Sequence, residues 1–407
     1  MHASYHQRWT LARDVHFLNH GSFGACPSAV LEHQQELRAQ LEREPVQFLM
    51  RRFEPLLDES RAALAAFIGA DPAGLVFVPN ASSGVATALA AIDDLTPGDA
   101  MLVTDHGYNA CRNALDRRAA RSGTSVTVAH IPFPAPSADV IVDAILGAVT
   151  PRTRWALLDH VTSPTALVLP IARLVRELRA RGVETIVDGA HAPGMVPLDL
   201  ETIGAAYYTG NCHKWLCAPK GAAFLVTRED LRARTLPLVT SHGANSPRAD
   251  RSRYQLEHDW CGTTDPSAIF SIPTAIRTLA AMLPGGWPAV MAHNHALALD
   301  GRARIAAALG LDTPLTPPEL LGSMATLPLP QSDSPTLGLA IDPLQLALYD
   351  RHQIEVPIIP WPALHQRFVR ISAQLYNDET DYEALGKALR TELVSVLTPP
   401  CAASKTV

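Results

Sequence analysis

The segment "TGNCHKWLCAPKGAAFLV", residues 209–226, sets Lys214 between His213 and Trp215, with Cys212 and Cys217 to either side. An ammonium is out of place in a cysteine-flanked, aromatic, apolar stretch, because burying it unpaired is costly. Three roles compete for it: part of a metal knuckle, a lysine that snorkels to solvent, or an amine kept for nucleophilic attack. A structural zinc site needs four ligands at recognisable spacing. No second cysteine pair lies near Cys212 and Cys217, and His213 makes a third ligand without a fourth, so no metal is expected.

A second segment changes the balance. In "TIVDGAHAPG" (186–194) Asp188 ends an apolar run with strand character, and the next such run, "AAYYT" (205–209), leads into Lys214. Neighbouring strands of a parallel sheet bring their C-terminal ends to one rim, and open α/β sheets bind their ligands there. An amine and a carboxylate meeting at that rim are what pyridoxal phosphate requires: the amine forms a Schiff base, and the carboxylate keeps a proton on the pyridine nitrogen. Taken singly, Asp188 could cap a helix and Lys214 could snorkel. A place for the phosphate is offered by "VFVPNASSGVATALAAI", where a strand ends at Pro79 and a helix is expected from about Gly84. Backbone N–H groups at a helix start, with the Ser82 and Ser83 hydroxyls, make an anion site, although plain N-capping explains the same residues.

The elements that must position these groups are legible as alternation. Strand candidates are 75–78, 100–104, 125–131, 155–161, 184–188, 205–209 and 222–227. Helical patterns lie between several of them: "GVATALAAI", "NACRNALDRRAARSG", "ADVIVDAILGAV" and "IARLVRELRARG". Such alternation predicts an α/β fold with a mostly parallel seven-stranded sheet covered by helices. One helix is read over "PSAIFSIPTAIRTLAAM", with a break at "MLPGGWP" (282–288) and a smaller α+β C-terminal domain beyond it. The division expected is an N-terminal segment 1–20 packing on the small domain, a large domain 21–283 and a small domain 284–407. The tail "TPPCAASKTV" reads as frayed.

Bulk properties narrow the class. The chain has 407 residues, 47% hydrophobic, with net charge −6, and Lys and Arg form no runs, which argues against a nucleic-acid surface. Six cysteines are too few and too irregular for a disulfide framework, so a reducing compartment is expected. The first twenty residues lack a signal-peptide core, and the longest uncharged run is broken by Pro-Gly-Gly, a second Pro, two histidines and an Asn. A cytoplasmic protein with no membrane span is therefore expected. There is no G-x-x-x-x-G-K-[ST] loop, and no G-x-G-x-x-G follows the first strand, which weakens nucleotide readings.

"VDGAHA" followed by "HKWLCAPKG" resembles the class V branch of the fold-type-I pyridoxal-phosphate enzymes. "FLNHGSFGACP" (17–27), "EPVQFL" (44–49), "GADPAGLVFVPNASSGV" (69–85), "DHVTSPTALVLPI" (159–171), "DWCGTTDPSA" (259–268) and "RISAQLYN" (370–377) narrow the likeness to its isopenicillin N epimerase-like members. The resemblance runs from about residue 16 to 392 and is specific for cofactor and fold, much less so for the reaction. It implies that Lys214 carries the cofactor, Asp188 pairs with the pyridinium, and His191 lies near the ring's phenolic oxygen. Tyr108 falls where the family stacks an aromatic or His on the ring, with His106 a competitor two residues away. Ala81, Ser82, Asn211 and His213 would surround the phosphate, and Thr263 would reach the phosphate of a neighbouring subunit, making a homodimer with shared sites. Ser163 would sit by the ring oxygen; Thr165-Ala166 stands where members often read Thr-Gly. Arg370 would bind the substrate's α-carboxylate, with Asn19 and His20 at the substrate mouth. Trp215 and Trp260 read as packing.

The implied substrate is an amino acid or peptide-like amine that loses its Cα proton. Epimerisation needs a second acid, for which Tyr108, His20 and His242 are candidates; β-elimination and transamination are the alternatives, and a non-catalytic binding protein is the rival of another class. Residues 320–336 hold no cysteine and Cys401 lies in the tail, so desulfurase-type persulfide chemistry is not expected.

Overall fold

The computed structural model describes residues 3–312, 316–332 and 341–397; the tail containing Cys401 lies outside them. Seven strands form the central sheet: β1 (Leu75–Val78), β2 (Ala100–Thr104), β3 (Ser125–Ala129), β4 (Thr153–Asp159), β5 (Glu184–Asp188), β6 (Tyr207–Asn211) and β7 (Ala223–Thr227). Their spatial order is β1-β7-β6-β5-β4-β2-β3, parallel except that β7 runs antiparallel to both its neighbours. β2 and β6 are buried along their whole length, as strands covered on both faces must be.

The period of two divides their side chains between two cores. Met101, Leu157, Ile186, Tyr207 and Leu225 pack under helix α3 (Ala81–Ala91) and helix α4 (Asn109–Ser122). Leu102, Leu158, Val187, Tyr208 and Phe224 face a layer that includes α5 (Ala138–Gly147) and α6 (Ile171–Arg179), together with two helices laid down before β1, α1 (Ser28–Arg43) and α2 (Phe53–Ile68). By the same alternation Asp159 and Asp188 point to the α3/α4 side, and the register places them directly opposite each other. The chain leaves β2 toward β3 on one side and returns to β4 on the other, so the loops after β2 and β4 part at a topological switch point. That is where a crevice opens in sheets of this kind.

Two boundaries differ from expectation. Helix α3 begins at Ala81 rather than near Gly84, because Asn80 acts as its N-cap, its side chain accepting from Ser83 N at 2.9 Å. The single helix read over 266–282 is two, Ser267–Phe270 and α7 (Ile272–Ala280); Pro273 falls in the first turn of the second, where a missing N–H is tolerated. The "MLPGGWP" break precedes a 24-residue helix, α8 (Gly286–Leu309), which packs on α9 (Glu379–Leu397) and on the small sheet formed by β8 (Met324–Leu329), β9 (Ile358–Pro360) and β10 (Arg367–Ser372). His16–Phe17 pairs in parallel with Ile354–Glu355, tying the N-terminal segment to this part of the chain. No described helix is long and apolar enough to cross a membrane.

Candidate active site

Each strand end at the switch point delivers one group. Asp188 closes β5, with Oδ1 accepting from Ala190 N at 3.0 Å and Oδ2 from the Cys111 thiol at 3.1 Å. Asp159 closes β4 beside it. Burial first and the Asp188 charge second hold the Asp159 carboxyl well above the usual carboxylate range, so it keeps its proton beside Asp188. Neither acid forms a salt bridge among the described residues. Two buried acids side by side with no cation describe a place waiting for a positive group, and a protonated pyridine nitrogen is one.

β6 runs on through Asn211 into the turn that carries Lys214. The turn is held from behind. His20 is fully buried, its Nε2–H donating to Lys214 O at 3.0 Å while Nδ1 accepts from the Tyr376 hydroxyl at 2.8 Å. Both ring nitrogens are thus committed, and the expectation that His20 lines the substrate mouth is corrected: it is a support for the lysine turn. Gly24 (φ 70°) crosses the turn so closely that a Cβ there would lie 2.0 Å from His213 O and 3.0 Å from Lys214 Cα. The Lys214 amine lies 3.1 Å from His191 Nε2. Burial, and then the Arg370 charge, lower its pKa to about 7 against the opposing pull of Asp188, Cys111 and Asp159. At neutral pH a large share of this amine is therefore an uncharged nucleophile and base.

The start of α3 supplies the anion end. Ala81 N donates to Asn211 Oδ1 at 2.9 Å and Ser83 N to the Asn80 cap, leaving the Ser82 N–H as the first-turn donor without an acceptor among the described residues. Gly84 lets the helix lie directly on β6, since a Cβ there would fall 2.0 Å from Thr209 Oγ1. His213 donates from Nδ1 to Ala222 O at 3.0 Å, and burial lowers its pKa to about 4. Its Nε2 is then an acceptor, which becomes a donor to an anion only by gaining a proton.

Arg370 comes from β10 of the small sheet and is 3% exposed. Nη1 donates to Ser163 O at 2.7 Å and to Ser163 Oγ at 3.0 Å, and Nη2 donates to Ser22 Oγ at 3.0 Å. Ser22 in turn donates to Asn19 Oδ1. Nε has no partner, and no carboxylate pairs with this guanidinium among the described residues; burial lowers its pKa to about 10. A buried cation supplied only with neutral acceptors is a binding site for a carboxylate. Tyr108 caps the start of α4 with its side chain 45% exposed; burial, Cys111 and Asp188 raise its pKa against Arg370. The rival His106 is sealed away, bonded to Thr165 Oγ1 at 2.6 Å and Ile131 O at 3.1 Å.

Hydrogen bonds or charge interactions link Lys214 to His191, Asp188 and Arg370, Arg370 to Ser163 and Tyr108, and Ala81 to Asn211; Ser82 and His213 adjoin these on α3 and the lysine turn, and Asn19 connects to Arg370 through Ser22. Ser83 is spent on the Asn80 cap, and Thr263 is exposed on the loop after Arg253–Asp259, outside this hydrogen-bonded cluster. The sequence reading missed Asp159, Cys111 and Ser22. Asp159 obeys the same strand-end rule as Asp188; nothing in the sequence marks Cys111.

A lysine amine, an acid pair, an anion-binding helix start and an unpaired arginine at the switch point of an α/β sheet fit pyridoxal phosphate and an amino-acid carboxylate together, and so define an enzyme of the pyridoxal-phosphate class. The sequence profile described as Aminotransferase class-V matches residues 20–385, and the chain belongs to that family. It is 36% identical to an isopenicillin N epimerase of Amycolatopsis lactamdurans, over 92% of this chain and 94% of the relative. It is 33% identical to a putative L-cysteine desulfhydrase of Oryza sativa subsp. japonica, over 91% and 82%. Among solved structures, a cysteine desulfurase from Escherichia coli superposes with a TM-score of 0.76 at 19% identity, covering 97% of this chain and 99% of that one, which shows the shared fold.

Proposed function

We propose that the chain removes the Cα proton of an amino acid or peptide-like amine and returns a proton on the opposite face, in the manner named for its epimerase relatives. The reading is carried by one observation: the Lys214 amine, lowered to about 7, lies near enough to feel the charge of the buried Arg370, which has no anion among the described residues. Bound there, pyridoxal phosphate supplies an aldehyde on which amines exchange and a ring that takes up the electrons left at Cα. The chain's own groups do the rest. Arg370 fixes the α-carboxylate, Asp188 holds the pyridine proton, and the Ser82 N–H and α3 start take the phosphate. Lys214, once freed, is the base for the Cα proton.

For the returning proton we favour Tyr108. Its phenol stays protonated, it is half-exposed, and it lies near enough to Asp188 and Arg370 to feel both charges. His20 has no free nitrogen, and His242 is exposed in another cleft, beside Met50 and Trp260. The active form is proposed to be a homodimer in which Thr263 meets the neighbouring phosphate; exposed Phe23, Val46 and Met50 support a covered face. Five free cysteines among the described residues support a reducing, cytoplasmic setting.

Incubation with a panel of L-amino acids in heavy water tests the reading. Deuterium at Cα with inverted configuration supports it. Pyruvate with sulfide or ammonia, or a keto acid with aminated cofactor, replaces epimerisation by elimination or transamination, and no exchange at Cα with any substrate refutes Cα deprotonation.

A further inference from the structure

Trp215 follows the lysine and looks like core: it is 1% exposed and packs against His20 with ring centroids 4.8 Å apart. Its indole N–H, however, is not idle. Nε1 lies 3.3 Å from His191 Nδ1, while the other nitrogen of the same imidazole lies 3.1 Å from the Lys214 amine. An indole nitrogen can only donate. His191 Nδ1 must therefore accept, and a neutral imidazole that accepts at Nδ1 carries its proton on Nε2.

We infer that Trp215 is a positioning residue that locks His191 in the Nε2–H tautomer and so sets what the Lys214 amine meets. An Nε2–H directed at Nζ needs a lone pair there, which the neutral amine has and the ammonium lacks. The protonated lysine would set donor against donor across 3.1 Å. The indole thus acts through the imidazole to keep the amine uncharged, in the same direction as Arg370 and against Asp188, Asp159 and Cys111, the other charged or titratable groups that face it. Burial keeps His191 itself neutral, so the tautomer is the property left to fix. The same N–H is what an anionic ring oxygen beside His191 would require, and in this respect the inference rests on the proposed function.

Trp215→Phe deletes the donor and keeps an aromatic ring in the core, though a smaller one. The test is nitrogen NMR of the full-length, 15N-histidine-labelled protein as purified, with the His191 signals assigned by their loss in His191→Asn. The four lysines of the chain are labelled in parallel and titrated after cofactor removal. In the unsubstituted protein Nε2 should be protonated and Nδ1 bare. In Trp215→Phe the second tautomer should appear and Lys214 should titrate about one unit higher, the size of one lost hydrogen bond. A protonated Nδ1 in the unsubstituted protein overturns the inference, whether or not the variant folds. Unchanged tautomer and titration in a folded Trp215→Phe overturn it as well. Borohydride trapping on the same samples keeps the two claims apart: chromophore fixed at Lys214 upholds the cofactor reading whatever the imidazole shows.

Discussion

Replacing Arg370 with methionine should separate stability from activity. The guanidinium is buried, makes three hydrogen bonds to Ser163 and Ser22, and leaves Nε without an acceptor. Those bonds return roughly 1.5–3 kcal/mol each at best, while desolvating the charge costs several kcal/mol. Ser163 is only partly buried and can turn to water. An apolar side chain of similar length should therefore leave the melting temperature within about 4 °C of the original, or raise it. Catalysis should suffer much more, because a buried charge pair with a carboxylate is typically worth 2–5 kcal/mol. Taking ~3 kcal/mol, kcat/KM for Cα exchange falls by about 10²-fold. The loss should be confined to substrates with an α-carboxylate, so at pH values above the acid limb the corresponding decarboxylated amine should react equally with both proteins. Because the Arg370 charge also lowers the Lys214 pKa, the acid limb of kcat/KM should move to higher pH in the variant. Exchange kinetics by NMR across pH, with calorimetry on the same samples, reads all of this. A variant that unfolds early, or one that handles both substrates as before, refutes the assignment of Arg370.

Other changes probe the remaining parts. Gly24→Ala should drive a Cβ into His213 O and strain a φ of 70°, costing ~2 kcal/mol or more by urea denaturation and weakening cofactor retention; an unperturbed variant contradicts the packing of the lysine turn. Ala166 sits at φ 61°, so Ala166→Gly should raise stability by ~0.5 kcal/mol in the same assay, and a loss would show that the turn is unstrained. Asp188→Asn should still bind the cofactor yet lose about 10³-fold or more in Cα exchange, since a neutral amide cannot hold the pyridine proton by charge; near-normal exchange would remove Asp188 from the mechanism. In protein stripped of cofactor, the rate of recapture should rise as Lys214 loses its proton, with a midpoint near 7, and level off above it. A midpoint near the ordinary lysine value of 10.5 would show that burial does not act on this amine.

The central sheet was readable because its strands are short apolar runs separated by amphipathic stretches, and each of the seven runs corresponds to a strand of the sheet. Lys214 and Asp188 stood out for a related reason: a charge at the end of an apolar strand has a cost that local structure does not explain. Helix starts were less legible. Asn80 took the cap of α3 and moved the beginning one turn earlier than the apolar periodicity indicated, and Pro273 divided a pattern that reads as continuous. The roles of histidines escaped the sequence altogether. His20, His106 and His191 each lie within two residues of a glycine, yet one braces a carbonyl, one is sealed under Trp361 and Phe133, and one faces the amine. Partners from distant segments decide this: Tyr376 for His20, Thr165 for His106, Trp215 for His191. Cys111 and Ser22 matter only through the groups the fold brings against them.

The most direct measurement is borohydride reduction of the purified protein, supplied with pyridoxal phosphate, followed by peptide mapping. With only four lysines in the chain, at 214, 220, 387 and 405, the label can be assigned without ambiguity. The peptide carrying Lys214 should hold one reduced pyridoxyl group per chain and the other three none. A label on another lysine, or a protein that takes up no pyridoxal phosphate, would contradict the account.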